Sequence, residues 1–142
     1  MSVYRPDHDV AHFNARSPGH LPGLLGMEVL EVGQGLLRAR IRIEPHHHAP
    51  NGFLHAGTVV TLADTGAGYG CLAHLPEGAA GFTTIELKSN HLGTAREGTI
   101  VAELRPAHLG RTTQVWDATV AHRETGRTIA LFRCTQMILW AR

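Results

Sequence analysis

The 142-residue sequence predicts an α+β fold in which one antiparallel sheet surrounds a single long helix. Three observations carry this expectation. Two strand-like runs come first, one long apolar run at helical spacing follows, and four strand-like runs close the chain. The connections after the helical run are short and contain glycine, which implies antiparallel hairpins. The helical run itself contains Gly66, Gly68 and Gly70. Each costs roughly 1 kcal/mol against alanine in a helix interior, so close contact with neighbouring elements must offset them.

Taken in order, residues 5–16 read as a short helix with Val10, Phe13 and Asn14 on one face, within an N-terminal extension over 1–20. Ser17-Pro18-Gly19 breaks it, and Pro22-Gly23 breaks the chain again. A strand is expected over 26–32. The cleanest strand is 37–43, where Leu37, Ala39, Ile41 and Ile43 alternate with Arg38, Arg40 and Arg42. That period of two means one buried face and one wet face. Pro45 ends it, and 46–52 reads as a loop.

Over 55–75 the period changes. Val59, Val60, Leu62, Ala63, Ala67, Cys71, Leu72 and Leu75 recur at three- and four-residue intervals, giving a helix of about five turns that stops near Leu75-Pro76. Strands follow over 81–92, 99–107, 112–123 and 128–140. Glu97-Gly98, His108-Leu109-Gly110 and Glu124-Thr125-Gly126 supply the turns between them. The last strand is apolar on both parities, with Ile129, Leu131, Met137 and Leu139 on one and Ala130, Phe132, Cys134, Ile138 and Trp140 on the other. One helix covers one face, so the second is expected to meet another subunit.

Composition narrows the function. Thirteen Lys+Arg against twelve Asp+Glu leave no basic footprint for nucleic acid. No apolar run approaches the ~20 residues of a membrane span, and Arg5, Asp7, His8 and Asp9 interrupt any signal-peptide core. Cys71 and Cys134 make no disulfide framework and read as buried packing residues. The expectation is one cytoplasmic domain over 1–142, with no membrane or nucleic-acid partner. His46-His47-His48 lacks the accompanying spacing of a metal site, and no metal is expected. Arg38, Arg40 and Arg42 form a basic stripe, either a solvated strand face or an attraction for phosphates; Arg96 and Arg111, near turns, are comparable candidates.

The chemistry concentrates around the start of the long helix. Asp64 lies among Leu62, Ala63, Ala67 and Gly68, where an unpaired buried carboxylate is expensive; it is either functional, a surface group capped by solvent, or paired with an arginine. Gly68 falls on its face and would leave space beneath it. The run Gly52-Phe53-Leu54-His55-Ala56-Gly57, followed by Leu62-Ala63-Asp64-Thr65, resembles the motif of hotdog-fold acyl-CoA thioesterases of the phenylacetate-degradation type, in which an acidic residue follows the turn histidine by nine positions, as Asp64 follows His55. The resemblance extends over roughly 20–140.

That resemblance implies a hotdog fold and a thioester hydrolase with an acyl-CoA or aryl-acyl-CoA substrate, no cofactor beyond the coenzyme A of the substrate, and a homodimer with shared sites that pairs further into a tetramer. It assigns the catalytic acid to Asp64, the N–H that polarises the carbonyl to Ala56, the turn to His55 and Gly57, and the neighbour of the acid to Thr65. Asn90, Arg96, Arg111 and Gly68 are the expected substrate contacts. Two departures stand out. The first glycine of the turn is Ala56. The amide that family members often carry six positions before the histidine is Ala49, and Asn51 either takes its place or forms the Pro50-Asn51-Gly52 turn. A hydratase or dehydratase with His55 as base, and a non-catalytic acyl-CoA-binding module, are the competing readings.

Overall fold

Alternation decides the sheet. In the computed structural model, which describes residues 2–142, Glu28–Gly33 (β1), Leu36–Arg42 (β2), Ala79–His91 (β3), Thr99–Leu109 (β4), Thr113–His122 (β5) and Thr128–Trp140 (β6) form one antiparallel sheet in the order β1-β2-β4-β5-β6-β3. The helix Ala56–Ala73 (α3) packs on one face and touches β2 through β6. This is the hotdog arrangement. Leu37, Ala39 and Ile41 of β2, Ile100, Ala102 and Leu104 of β4, and Trp116, Ala118 and Val120 of β5 meet the helix and are buried. No helix among the described residues is long and apolar enough to cross a membrane.

The three glycines of α3 allow this contact. A Cβ at Gly66 would lie 2.8 Å from Leu104 Cδ1, one at Gly68 2.8 Å from Phe82 Cζ, and one at Gly70 2.8 Å from Trp116 Cη2. All three positions are therefore filled by strand side chains. The space expected beneath Asp64 at Gly68 is occupied by the Phe82 ring.

On the opposite face, the arginines of β2 sit in cross-strand ion pairs. Arg40 pairs with Glu28 at 2.8 Å, directly opposite it on β1, and Arg38 bonds both Glu31 and Glu103 at 2.8 Å. Arg133 of β6 pairs with Asp117 of β5. The basic stripe is thus mostly neutralised, with Arg42 left over.

Several boundaries differ from the sequence reading. Pro22-Gly23 lies inside a one-turn helix, Leu21–Leu24 (α2), because proline is accepted in a first turn. The first helix is only Val10–Asn14 (α1), capped by Asp9. The chain before it is pinned to the far end of α3 by Val3 N–H to Leu75 O and Arg5 N–H to Ala73 O. The long helix stops two residues earlier than Leu75.

The hairpin expected between β3 and β4 does not form. β3 pairs only with β6 and takes the sheet edge, while β4 lies between β2 and β5. Burial explains the choice: β4 begins with Thr99 and Ile100 fully inside, whereas most of β3 is exposed and suits an edge. The last strand is correspondingly interior. Its Ala130–Ile138 parity lies under the helix, and Leu131, Met137 and Leu139 stay exposed on the outer face at 41–46%.

Two buried imidazoles lock the ends of this frame. His74, at the C-terminus of α3, accepts Gly35 N–H through Nε2 at 2.9 Å and bonds Gly70 O through Nδ1 at 2.7 Å. His47 accepts Glu44 N–H and bonds Leu25 O, both at 2.8 Å. Burial depresses both basicities. The folded state then binds fewer protons than the unfolded chain, so the stability these groups contribute is complete above the ordinary imidazole range and is lost as pH falls through it. In the Asp64→Asn protein, where no raised carboxyl titrates in the opposite sense, the unfolding free energy is expected to drop between pH 7 and pH 5. A flat denaturation profile over that interval would contradict the neutral, buried assignment.

Candidate active site

The α3 N-terminus is built by a histidine cap. His55 has extended backbone geometry, and its Nδ1 accepts Gly57 N–H at 2.7 Å. The imidazole lies over Gly57 so closely that a Cβ there would be 2.9 Å from Nδ1, which explains why this position is glycine. Since Nδ1 accepts, Nε2 carries the proton.

A helix leaves its first four N–H groups without internal partners. In α3, His47 O takes that of His55 at 3.0 Å, His55 Nδ1 takes that of Gly57, and His55 O takes that of Thr58 at 3.0 Å. Among the described residues, Ala56 N–H has no hydrogen-bond partner. It is exposed, at the positive end of an 18-residue helix. Ala56 is the first helical residue and has negative φ, so alanine fits where the family pattern has glycine.

Asp64 stands on the one strip of α3 that is not fully buried, with Thr61, Thr65 and Leu72. One of its oxygens, Oδ1, is buried and has no hydrogen-bond partner. Burial pushes its carboxyl above the ordinary carboxylate range, and the Thr84 side chain on β3 works in the opposite direction. Nearby on the sheet, Gln136 is directly opposite Thr84 and is fully buried with neither amide atom bonded.

The remaining sequence candidates separate. Asn51 forms the turn: its Oδ1 accepts Phe53 N–H at 3.1 Å, Ala49 N–H closes the loop onto Phe53 O at 2.7 Å, and Gly52 sits at φ +84°. Gly68 is buried under Phe82 and offers no surface. Asn90 lies on the outer sheet face beside Lys88, opposite Leu131 and away from α3. Arg96, on the connection 92–98, lies 4.5 Å over the Phe53 ring, near the α3 N-terminus. Arg111 lies over Trp140 at the other end of the sheet, remote from Ala56 within one chain.

Two of the three consecutive histidines make structural hydrogen bonds. His47 is the buried lock described above, and His48 Nε2 bonds Arg96 O at 2.8 Å. Among the described residues no three His, Cys, Asp or Glu side chains converge as metal ligands. Cys71 and Cys134 are buried, with thiols pushed up to about 12, which fits packing. Sequence reasoning missed Thr84, Phe82 and Gln136, because their relation to Asp64 depends on β3 choosing β6 as its neighbour.

An exposed helix N-terminus and a half-buried carboxylate thus lie on one glycine-rich helix packed against an antiparallel sheet, the hotdog arrangement, and the relatives of this fold and sequence are thioester hydrolases. Residues 51–134 match the sequence profile of the thioesterase superfamily, and the chain belongs to that superfamily. It is 33% identical over 129 residues to the 1,4-dihydroxy-2-naphthoyl-CoA hydrolase of Escherichia coli K12, covering 89% of this chain and 91% of that protein. The crystal structure of a mutant of thioesterase PA1618 from Pseudomonas aeruginosa matches with a TM-score of 0.91 at 29% identity, over 97% of this chain and 99% of that one. The PaaI protein of the E. coli phenylacetic acid degradation operon shares the fold, with a TM-score of 0.79 at 21% identity over 92% of this chain and 91% of that one.

The burial of Asp64 has a consequence for stability. Its folded state holds a proton more tightly than the unfolded chain, so stability declines as pH rises from the ordinary aspartate range through the raised folded value. Asp64→Asn removes that penalty while keeping the shape. Its melting temperature at pH 7 is expected to equal or exceed that of the parent. A melting temperature several degrees lower would mean that the ionised carboxylate stabilises the fold.

Proposed function

We infer that the protein hydrolyses acyl- or aryl-acyl-coenzyme A thioesters to the free acid and coenzyme A, with Ala56 N–H as oxyanion donor and Asp64 as general base or nucleophile. The observation that carries this is the unpaired Ala56 N–H at the positive end of the helix that also holds Asp64. The name of the E. coli relative, a CoA hydrolase for an aromatic acyl group, supports the coenzyme A thioester as substrate class.

In this reading the thioester carbonyl oxygen sits on Ala56 N–H, where the developing negative charge is stabilised by the donor and the helix dipole. Along one route Asp64 takes a proton from water as the water oxygen bonds to the carbonyl carbon. The C–S bond then breaks, and the proton passes to the leaving thiolate. Along the other, the Asp64 carboxylate attacks the carbonyl carbon and the C–S bond breaks, releasing the coenzyme A thiolate; water then opens the resulting anhydride, regenerating Asp64, and the proton that water gives up passes to the thiolate. Both routes need only water and the protein, so no cofactor is invoked. The raised carboxyl of Asp64 suits a base that must both take and return a proton.

Hydration chemistry with His55 as base fits less well. Its Nδ1 lone pair is already bonded to Gly57 N–H, and Nε2 carries a proton.

Ala56 and Asp64 are eight positions apart on α3, roughly 12 Å along the axis at 1.5 Å per residue. A reacting carbon must sit about 3 Å from both groups. We therefore assign each site to two chains of a homodimer, with Asp64 of one protomer facing Ala56 N–H of its partner. The exposed edge of β3 and the half-buried strip of α3 are the surfaces available for that contact. The exposed Leu131, Met137 and Leu139 on the outer sheet face support further pairing into a tetramer.

The test is release of free thiol from a panel of acyl- and aryl-acyl-CoA substrates. Turnover is expected, with Asp64→Asn reducing kcat by at least ~10²-fold and affecting KM less. The acid limb of kcat/KM should lie above the ordinary aspartate range. Near-normal turnover by a folded Asp64→Asn enzyme would remove Asp64 from the mechanism.

A further inference from the structure

Two glutamines lie on the helix-facing side of the sheet, and one of them is tied down. Gln114 of β5 and Gln136 of β6 are directly opposite each other, and both are fully buried. Gln114 Nε2 donates to His74 O at 2.8 Å, and its Oε1 accepts Trp116 Nε1–H at 2.9 Å. That glutamine belongs to the frame at the end of α3. Gln136 has no hydrogen bond at either amide atom among the described residues. A buried amide left unpaired is costly and uncommon, so this position calls for a partner that the frame does not supply.

The neighbours of Gln136 indicate that partner. Side chains directly opposite each other in an antiparallel pair share a face, with Cβ atoms roughly 5 Å apart. Gln136 is opposite Thr84 of β3. Burial raises the Asp64 carboxyl, and a hydrogen-bonding contact from the Thr84 side chain opposes that rise. Two residues back along β6, on the same face, Cys134 is close enough to feel the charge on Asp64. Thr84 and Cys134 thus both border the carboxylate, and Gln136 adjoins both of them.

The two groups need each other chemically. Asp64 Oδ1 is buried with no donor among the described residues. An ionised carboxylate only accepts hydrogen bonds, and a carboxamide nitrogen has two to give. Nothing else charged competes on that face. Asp64 is the one charged residue of α3. The Cys71 and Cys134 thiols, pushed up to about 12, stay protonated. Glu86 is opposite Thr135 on the other parity of β6, and Asp117 is held by Arg133.

We propose that Gln136 is a positioning residue for Asp64, its amide donating to the buried oxygen Oδ1 so that the second carboxylate oxygen is held toward the thioester. This rests on the hydrolase reading with Asp64 as base or nucleophile. Gln136 has no exposed surface and acts through the carboxylate without touching substrate. The contact fixes the rotation of the reacting group, and a misplacement of about 1 Å can cost on the order of 10²-fold in rate. It also favours the ionised form of Asp64 against the burial that disfavours it.

The experiment measures kcat, KM and the pH dependence of kcat/KM on one acyl-CoA that the unmodified enzyme hydrolyses. Gln136→Met and Gln136→Leu, in the full-length chain, replace the amide by apolar side chains of similar size. In both, kcat is expected to fall about tenfold, the effect of one lost hydrogen bond to a charged group, with KM little changed. The acid limb of kcat/KM should move to higher pH, because ionised Asp64 has lost a donor. Added to Asp64→Asn, Gln136→Met should lower the residual rate no further. Gln114→Met, which breaks the bonds of the opposite glutamine, is the control for loosened packing; it should lower the melting temperature and leave the acid limb in place. A folded Gln136 variant with parental kcat and acid limb would overturn the proposal. An acid limb moved equally by Gln114→Met, or failure of both Gln136 variants to fold, would also overturn it by making the role structural. Each of these results leaves the hydrolase reading standing. Absence of hydrolysis of every acyl-CoA by the unmodified enzyme, or parental turnover by Asp64→Asn, would overturn both.

Discussion

Most of this structure depends on how closely one helix can be enclosed by one sheet. Gly66, Gly68 and Gly70 strip three side chains from α3, and Leu104, Phe82 and Trp116 occupy the space they leave. Each glycine weakens an isolated helix by roughly 1 kcal/mol, so the segment is helical because the sheet holds it. The strands in turn are ordered by what they can bury. β4 and β5 carry the fully buried face and sit in the middle; β3, mostly exposed, takes the edge. Enlarging any of the three glycines would push a large packed side chain out of place rather than fill a hole.

Enclosure also determines where chemistry can occur. With most of α3 inside the sheet, the helix reaches the surface only at its N-terminus and along the strip that carries Asp64. The His55 side chain takes the Gly57 donor, its carbonyl takes that of Thr58 and its own N–H goes to His47 O, leaving Ala56 N–H without a partner among the described residues. Half-burial raises the basicity of Asp64 without removing it from solvent. A donor for negative charge and a carboxylate thus follow from one helix, but their spacing along its axis is too long for one substrate atom to reach both. In the proposed account, association of two chains resolves this mismatch.

Much of this was legible in the sequence because local patterns fixed it. The alternation of Leu37 through Ile43, the helical spacing from Val59 to Leu72 and the glycine-containing turns gave every major element within a few residues. The nine-residue interval from His55 to Asp64 pointed to the site proposed above. What the sequence did not disclose was partner choice between distant segments. A glycine turn at Glu97-Gly98 reads as a hairpin, yet β3 and β4 lie three positions apart in the sheet. From that single difference follow the missed pairing of Thr84 with Gln136, the Phe82 ring filling Gly68, and the placement of Asn90 on the outer face. Ion pairing was equally hidden: the sequence shows three alternating arginines, and only the register reveals that Glu28, Glu31 and Glu103 neutralise two of them.

The central claim is that each catalytic site takes its oxyanion donor from one chain and its carboxylate from another. Subunit mixing tests it most directly. Ala56→Pro suits this purpose because proline is favoured at a first helical position and removes only the N–H, and Asp64→Asn removes only the charge. Each variant alone should be inactive. Unfolded and refolded together in equal amounts, half of the dimers are hybrids, and one of the two sites in each hybrid has both unaltered groups, so about a quarter of the parental activity should return. No recovery in a mixture shown to contain hybrid dimers would place the donor and the carboxylate of each site within one chain and contradict the account.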